Sequence, residues 1–322
     1  MPREVVTVFG GAGFIGRYVV RALASNGATV KVACRRSSDA SFCRAIGDVG
    51  QVVIAPCNVR DEASVRSTVE GSDKVVNLAG ILYERGSQTF EQVHHQSAAR
   101  IARAAADAGV EALVHVSAIG ADHPGLSSYS KSKGAGEAAV RALFARAVII
   151  RPSIVFGPED DFFNRFAGYA RVCPALPLIG GGNTKFQPVY VCDVADAISW
   201  ALSRDKAAGR VFELGGPRLA TFRELMELLL SFVSRERLLM PIPFGFGMVM
   251  AALGETLLSL PSYLAPGLTP APILTRDQVR LLRQDNIVTG KFGTFSDMGI
   301  APVSMETILP SYLSRFRPAS RI

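Results

Sequence analysis

The decapeptide VFGGAGFIGR at residues 8–17 constrains this chain more than any other stretch. Gly10, Gly13 and Gly16 form a G-x-x-G-x-x-G pattern that follows a β-rich run, EVVTVFG, and opens an apolar helical pattern. Glycines at this spacing permit a tight turn, let the backbone approach a diphosphate, and bring the helix close against the sheet. The helix N-terminus then offers unpaired amides and positive dipole to an anion. The motif predicts a strand–turn–helix that binds a dinucleotide through Gly10, Gly11, Ala12, Gly13, Phe14, Ile15 and Gly16.

Six further β-rich runs follow at 28–34, 51–55, 74–80, 112–118, 146–152 and 210–216, separated by Ala-rich helical stretches. That alternation implies βαβ crossovers and a parallel sheet covered on both faces. The expected fold is therefore α/β, a doubly wound parallel sheet of the Rossmann kind with a smaller, mostly helical C-terminal lobe. The expected division is a nucleotide-binding domain over 1–217, with 160–190 contributing to the second lobe, and a substrate or partner lobe over 218–322. Beyond 217 the strands are expected to stop, and TFRELMELLLSFVSRERLL reads as a helix with Thr221 as N-cap and Glu224 completing a capping box. From Leu238 to Thr275 there is no Lys or Arg and one Glu. Its Pro and Gly content rules out a spanning helix of about 20 residues. Two readings stay open for it: a helix packed on the core, or a surface that lies against a membrane or an apolar partner.

The 322 residues carry 35 Lys and Arg against 28 acids, a net charge of +7. The excess is dispersed, with no basic run interleaved with aromatics, so no nucleic-acid partner is expected. Five cysteines without a C-x-x-C pair suggest neither a disulfide framework nor a zinc site. His94 and His95 are adjacent, point to different sides of a helix, and lack further ligands, so no metal is expected. The segment 90–109 reads as one long helix with solvated Arg and His, which favours a monomer docked in a larger assembly. The β-rich run begins by Glu4, leaving no room for a leader. The expectation is a chain kept on the cytosolic side, or already processed.

Two features point to the chemistry at the dinucleotide's ends. The second strand ends in CRRSSD, placing Arg35 and Arg36 where NAD binders carry an acid for the ribose hydroxyls. Guanidinium groups suit a 2′-phosphate, so NADPH (NADP) is the expected cofactor. Further on, SSYSKSKGAGE places Tyr129 four residues before Lys133, on one face of a helix. There the ammonium would lower the phenol's pKa and the pair could exchange a proton with a carbonyl or alcohol.

These motifs, with CNVRD at 57–61, NLAG at 77–80 and RPSIVFGP at 151–158, resemble the extended, epimerase-like branch of the short-chain dehydrogenase/reductase superfamily. The resemblance implies Asn58 and Val59 by the adenine, and Ala79 and Gly80 along the cofactor. It places Tyr129 and Lys133 at the nicotinamide end, with Pro152, Ser153 and Ile154 beside them. Catalytic members add a hydroxyl after the fifth strand. Here HVSAIGAD offers Ser117 at the strand end, while Ala118 and Ile119 stand where epimerase-type members place theirs; Ser127 and Ser128 are the substitutes. Without that donor a reductase loses about two to three powers of ten in rate. Asp193 is expected to N-cap the helix DVADAISWAL, and Gln187 and Tyr190 to sit near the pocket mouth.

Within this branch, TVFGGAGFIGRYVV, AGVEALVHVSAIGAD, RPSIVFGPEDDFFNRFA, QPVYVCDVADAI and TRDQVRLLRQDNIV resemble the NADPH-carrying accessory subunits of respiratory complex I and their bacterial relatives. That resemblance implies partners among complex I subunits, and a peripheral place at the cytoplasmic side of the bacterial inner membrane. It also implies a structural or assembly role with weak or no independent catalysis. A working NADP-dependent reductase or epimerase acting on a sugar, sterol-like or quinone-related carbonyl, and an NADP(H) redox sensor, are the competing readings.

Overall fold

A computed structural model describes residues 3–123, 127–259 and 274–318. The strands are β1 (Val5–Phe9), β2 (Thr29–Cys34), β3 (Val52–Pro56), β4 (Lys74–Asn77), β5 (Ala112–Val116), β6 (Val148–Pro152) and β7 (Val155–Phe156). They continue as β8 (Ala175–Ile179), β9 (Lys185–Phe186), β10 (Val189–Tyr190), β11 (Val211–Leu214), β12 (Ala220–Thr221) and β13 (Leu238–Ile242). The helices are α1 (Phe14–Ser25), α2 (Glu62–Val69), α3 (Ser97–Asp107), α4 (Ser128–Leu143), α5 (Phe162–Val172) and α6 (Val191–Leu202). After these come α7 (Phe222–Val233), α8 (Phe244–Ser259), α9 (Arg276–Leu281), α10 (Phe295–Met298) and α11 (Met305–Leu313).

All seven β-rich runs become strands of one parallel sheet, in the order β11-β6-β5-β4-β1-β2-β3. Their near-continuous apolar character has a simple cause: both faces are covered. Val8, Val32, Val76, Val114 and Ile150 pack with α1 and α6. Phe9, Ala33, Val75, Leu113 and Ile149 pack on the other side with α2, α3 and α4. The chain builds outward from β1 to β3, then crosses back to start β4 on the other side of β1. Strand order reverses there, and the crevice beyond the strand ends at such a point is where open α/β sheets take ligands.

A second core gathers α5, α7 and α11 around Phe156, Phe163, Leu176, Phe222, Leu225, Leu229 and Leu309. The Thr221–Glu224 capping box forms as the sequence predicts, and α7 ends at Ser234 with a left-handed φ of 51°.

Strands do not stop at 217. β12 pairs antiparallel with β9, and β13 pairs parallel with β8 over five residues. Pro241 is tolerated in β13 because that strand has only one neighbour. The chain then passes β9, where Asn286 bridges Phe186, and returns to the main sheet, where Gly293 bridges Phe212 and Phe295 and Met298 enter the first core.

The long helix expected over 90–109 forms, running without interruption through a π-helical turn, Glu91–Gln96, into α3. His94 on that turn is buried, not solvated. Helix α8 rests on the protein through Ala251 and Gly247 and turns Phe246, Val249, Met250 and Leu253 outward. That spacing is one stripe of a helix. Among the described residues no helix is long and apolar enough to cross a membrane.

Candidate cofactor site

The glycine turn ends β1. Gly10 has φ +77°, and a Cβ there would lie 3.0 Å from the Leu78 carbonyl, so the turn is pressed against the end of β4. A Cβ on Gly16 would lie 2.3 Å from Gly10 O, which shows how closely α1 rides on the turn. Gly13 is the N-cap, in extended conformation and without a capping side chain, so the first amides of α1 stay available to an anion. Gly11 is buried, and Ala12, Phe14 and Ile15 are half-buried around the turn.

At the end of β2, Arg35 and Arg36 are both exposed. Arg36 Nε donates to Asp39 Oδ2 at 3.0 Å, whereas Arg35 has no ion-pair partner among the described residues. Asn58 and Val59 follow β3; the Asn58 Oδ1 accepts from Arg60 N at 3.2 Å and so closes its own turn. After β4, Ala79 N donates to Asn77 Oδ1 at 3.0 Å, and a Cβ on Gly80 would lie 3.4 Å from Lys133 Nζ.

Tyr129 and Lys133 stand on α4, which Ser127 caps by accepting from Ser130 N at 2.9 Å. Lys133 is buried, its Nζ donating to Val116 O at 3.3 Å and lying 5.9 Å from the centre of the half-buried Tyr129 ring. The expected lowering of the phenol's pKa does not occur. Burial, and then the Asp277 carboxylate, push Tyr129 up to about 12, and burial pushes Lys133 down to about 8. Desolvation is the largest cause for both groups, and it favours the neutral form of each.

Two glycines in KGAGE wedge α4 into place. A Cβ on Gly134 would lie 2.3 Å from Ala121 O, and one on Gly136 2.2 Å from His94 O. The loop after β5 and the π-turn therefore both touch the helix backbone. From the π-turn, His94 Nε2 accepts from Ile81 N at 3.0 Å, its Nδ1 lies 2.9 Å from Ser132 Oγ, and its ring meets Tyr129 edge-on at 5.2 Å. His94 thus connects the loop after β4 to α4.

The Ser117 hydroxyl is buried and has no hydrogen-bond partner among the described residues. Asn77 Oδ1 is occupied by Ala79 N, so its amide nitrogen donates to His115 Nδ1 at 3.1 Å. The His115 proton then sits on Nε2, which is also buried and unpartnered. Of the substitutes for Ser117, Ser127 is spent on the cap and Ser128 is exposed. Two orphaned polar groups beside Lys133 fit a bound group that brings its own hydrogen bonds.

A family model described as "NAD dependent epimerase/dehydratase family" matches residues 6–215. The mitochondrial NADH dehydrogenase [ubiquinone] 1 alpha subcomplex subunit 9 of Arabidopsis thaliana is 35% identical over 317 residues, 97% of this chain and 78% of that protein. The chain belongs to this family. A ceramide reductase of Caulobacter vibrioides is 33% identical over 193 residues, 60% of this chain and 59% of that protein. A dTDP-glucose 4,6-dehydratase of Streptomyces venezuelae has the same fold, with a TM-score of 0.73 at 20% identity over 97% of this chain and 96% of that one.

As a member of the NAD-dependent epimerase/dehydratase family, the chain sets its predicted site residues at or just beyond the carboxyl ends of β1 to β6 and on α4, with some differences. Pro152 ends β6 and Ile154 starts the next turn, but Ser153 Oγ lies 2.7 Å from Asn286 Oδ1 and 2.9 Å from Asn286 O. The returning C-terminal segment therefore occupies it. Gln187 is a latch as well, donating to Gly216 O at 2.8 Å and accepting from Val288 N at 3.1 Å. Tyr190 packs on Phe156. Asp193 is not the N-cap of α6; it lies buried in the first turn and accepts from Val303 N at 2.8 Å. Sequence reasoning missed His94, Gly134, Gly136 and Asp277. Paired glycines inside a helix pattern were a readable sign of close backbone approach; Asp277, 148 residues from Tyr129, left none.

Proposed function

We propose that the protein is an accessory subunit of respiratory complex I that holds NADP(H) as a structural element. The observation that carries this reading is the 35% identity to a complex I subunit across 97% of the chain, including α8. Three features support it. The stripe Phe246, Val249, Met250 and Leu253 is an exposed apolar surface suited to a peripheral seat against a membrane-embedded assembly. For a bacterial chain that seat is the cytoplasmic face of the inner membrane. Arg35 and Arg36 supply charge for a 2′-phosphate, which favours NADP(H) over NAD(H). A ligand bound only by the folded state stabilises it by mass action, so a permanently held cofactor serves as part of the fold.

In this reading Gly10 to Gly16 hold the diphosphate and Arg35 and Arg36 the 2′-phosphate. Asn58 and Val59 line the adenine side, and Ala79, Gly80, Tyr129, Lys133, Ser117 and Pro152 to Ile154 surround the nicotinamide end. The bound nicotinamide would supply hydride chemistry. Tyr129, with its proton held up to about 12, is a weak general acid at neutral pH.

A second reading, a working reductase on an apolar carbonyl substrate, is favoured by the likeness to a ceramide reductase and by the free hydroxyl of Ser117. One experiment separates the two. The protein is purified from membranes without chromatographic bias, its partners and cofactor are identified, and carbonyl compounds are offered. Co-purification with complex I and NADPH that stays reduced are expected. A soluble protein that oxidises NADPH, and stops when Tyr129 becomes Phe, would establish the reductase.

A further inference from the structure

Helix α4 opens with two amides, those of Ser128 and Tyr129, that have no acceptor within the helix. Both are taken by one carboxylate: Asp277 Oδ1 accepts from Ser128 N at 2.8 Å and Oδ2 from Tyr129 N at 3.0 Å. Asp277 sits in the first turn of α9, which Thr275 and Gln278 close with a capping box. Its neighbour Arg276 is tied to α8, donating to Glu255 from its amide at 2.8 Å and from Nε at 2.6 Å. Two sets of charge-assisted bonds, joined by the Arg276–Asp277 backbone, therefore link the helix that carries the exposed stripe to the backbone of Tyr129. Among the described residues, Tyr129 also meets Lys133 on its own helix and the Phe90 and His94 rings of the π-turn region.

We propose that Asp277 is a positioning residue for the Tyr129 end of the cofactor site, and the link by which that site and α8 stabilise one another. The sign follows from shared ordering. A dinucleotide lying against α4 fixes the two amides, and seating of the stripe fixes the carboxylate that binds them. Whichever comes first leaves less disorder for the second to remove. By linkage the effect on affinity is the same in both directions. The dinucleotide half of this proposal rests on the reading of the site as one for NADP(H).

Hydrogen exchange by mass spectrometry on the full chain tests it. Saturating NADPH is expected to slow exchange in 244–259 and 276–281 by roughly threefold or more, at a distance from the glycine turn. In Asp277→Asn, which offers one uncharged acceptor oxygen where two charged ones now serve the two amides, that protection is expected to vanish while the glycine turn stays protected. Glu255→Gln alters no group that touches α4 directly, and is expected to remove the protection of α8. The same variant without cofactor is expected to speed exchange at the start of α4. Equal protection of α8 and α9 in wild type and Asp277→Asn, or none in a wild type that does bind NADPH, overturns the link. If NADPH does not bind, the cofactor reading fails by itself, and unchanged exchange at the start of α4 in Glu255→Gln then overturns the link.

Discussion

Ala in place of Gly136 sets two effects of opposite sign against each other. In an unobstructed helix the change is favourable by about 1 kcal/mol, because glycine has the greater backbone freedom to lose. Here the new Cβ would lie 2.2 Å from His94 O and 3.2 Å from its carbonyl carbon. A carbon–oxygen contact wants about 3.3 Å, so the π-turn has to retreat by roughly 1 Å. Overpacking of this kind costs about 1–3 kcal/mol. The retreating turn also carries the His94 bonds to Ile81 and Ser132, each worth about 1 kcal/mol. Destabilisation by about 1–3 kcal/mol is the expected net result. Gly168 in α5 provides the control, since nothing lies within 4 Å of a Cβ there; Gly168→Ala should gain up to about 1 kcal/mol. Urea unfolding of both variants at equal m-value measures the difference. A Gly136→Ala protein as stable as the wild type would show that α4 is not wedged against the π-turn.

Arg35→Ala should weaken NADPH binding about tenfold and leave NADH unchanged, the loss of one charge-assisted contact. Arg36→Ala should do less, because Asp39 already holds that side chain; parallel fluorescence titrations decide, and equal losses for both cofactors refute the phosphate assignment. Burial, reinforced by Lys133, holds His94 down to about 2 and His115 down to about 3, from an ordinary value of 6.5. The unfolded chain takes up those protons near 6.5 and the folded chain does not, so stability present above that pH is lost as the pH falls below it. Asp193, pushed up to about 6 by burial from 3.8, opposes this between those two values. The urea midpoint should therefore drop on acidification and drop less in His115→Gln; a midpoint independent of pH contradicts the buried neutral rings. Replacing Phe246 and Leu253 by Gln should leave NADPH affinity within about twofold and release the protein from membranes on fractionation. Retention in the membrane fraction would mean that the stripe is not the seat.

Local sequence was enough for everything that depends on neighbours along the chain. The glycine turn, the seven strands and their parallel arrangement, and the Thr221 cap follow from spacing and composition, because each rests on steric or hydrogen-bonding demands within a few residues. The placement of Tyr129 and Lys133 on one helix was legible for the same reason. The character of that pair was not. Burial depth decides whether an ammonium lowers a phenol's pKa or both groups are driven towards their neutral forms, and depth is a property of the packed molecule. The role of Asp193 changed because its partner, Val303 N, lies 110 residues away. His94 looked solvated in a segment rich in charge, yet the π-turn rotates it inward onto Ile81 and Ser132. The Asp277 clamp on Tyr129 exists only because the chain, after the apolar stretch, folds back over the start of α4. Short-range chemistry thus determined what the site is made of, and long-range packing decided which of its groups are charged, held or left free.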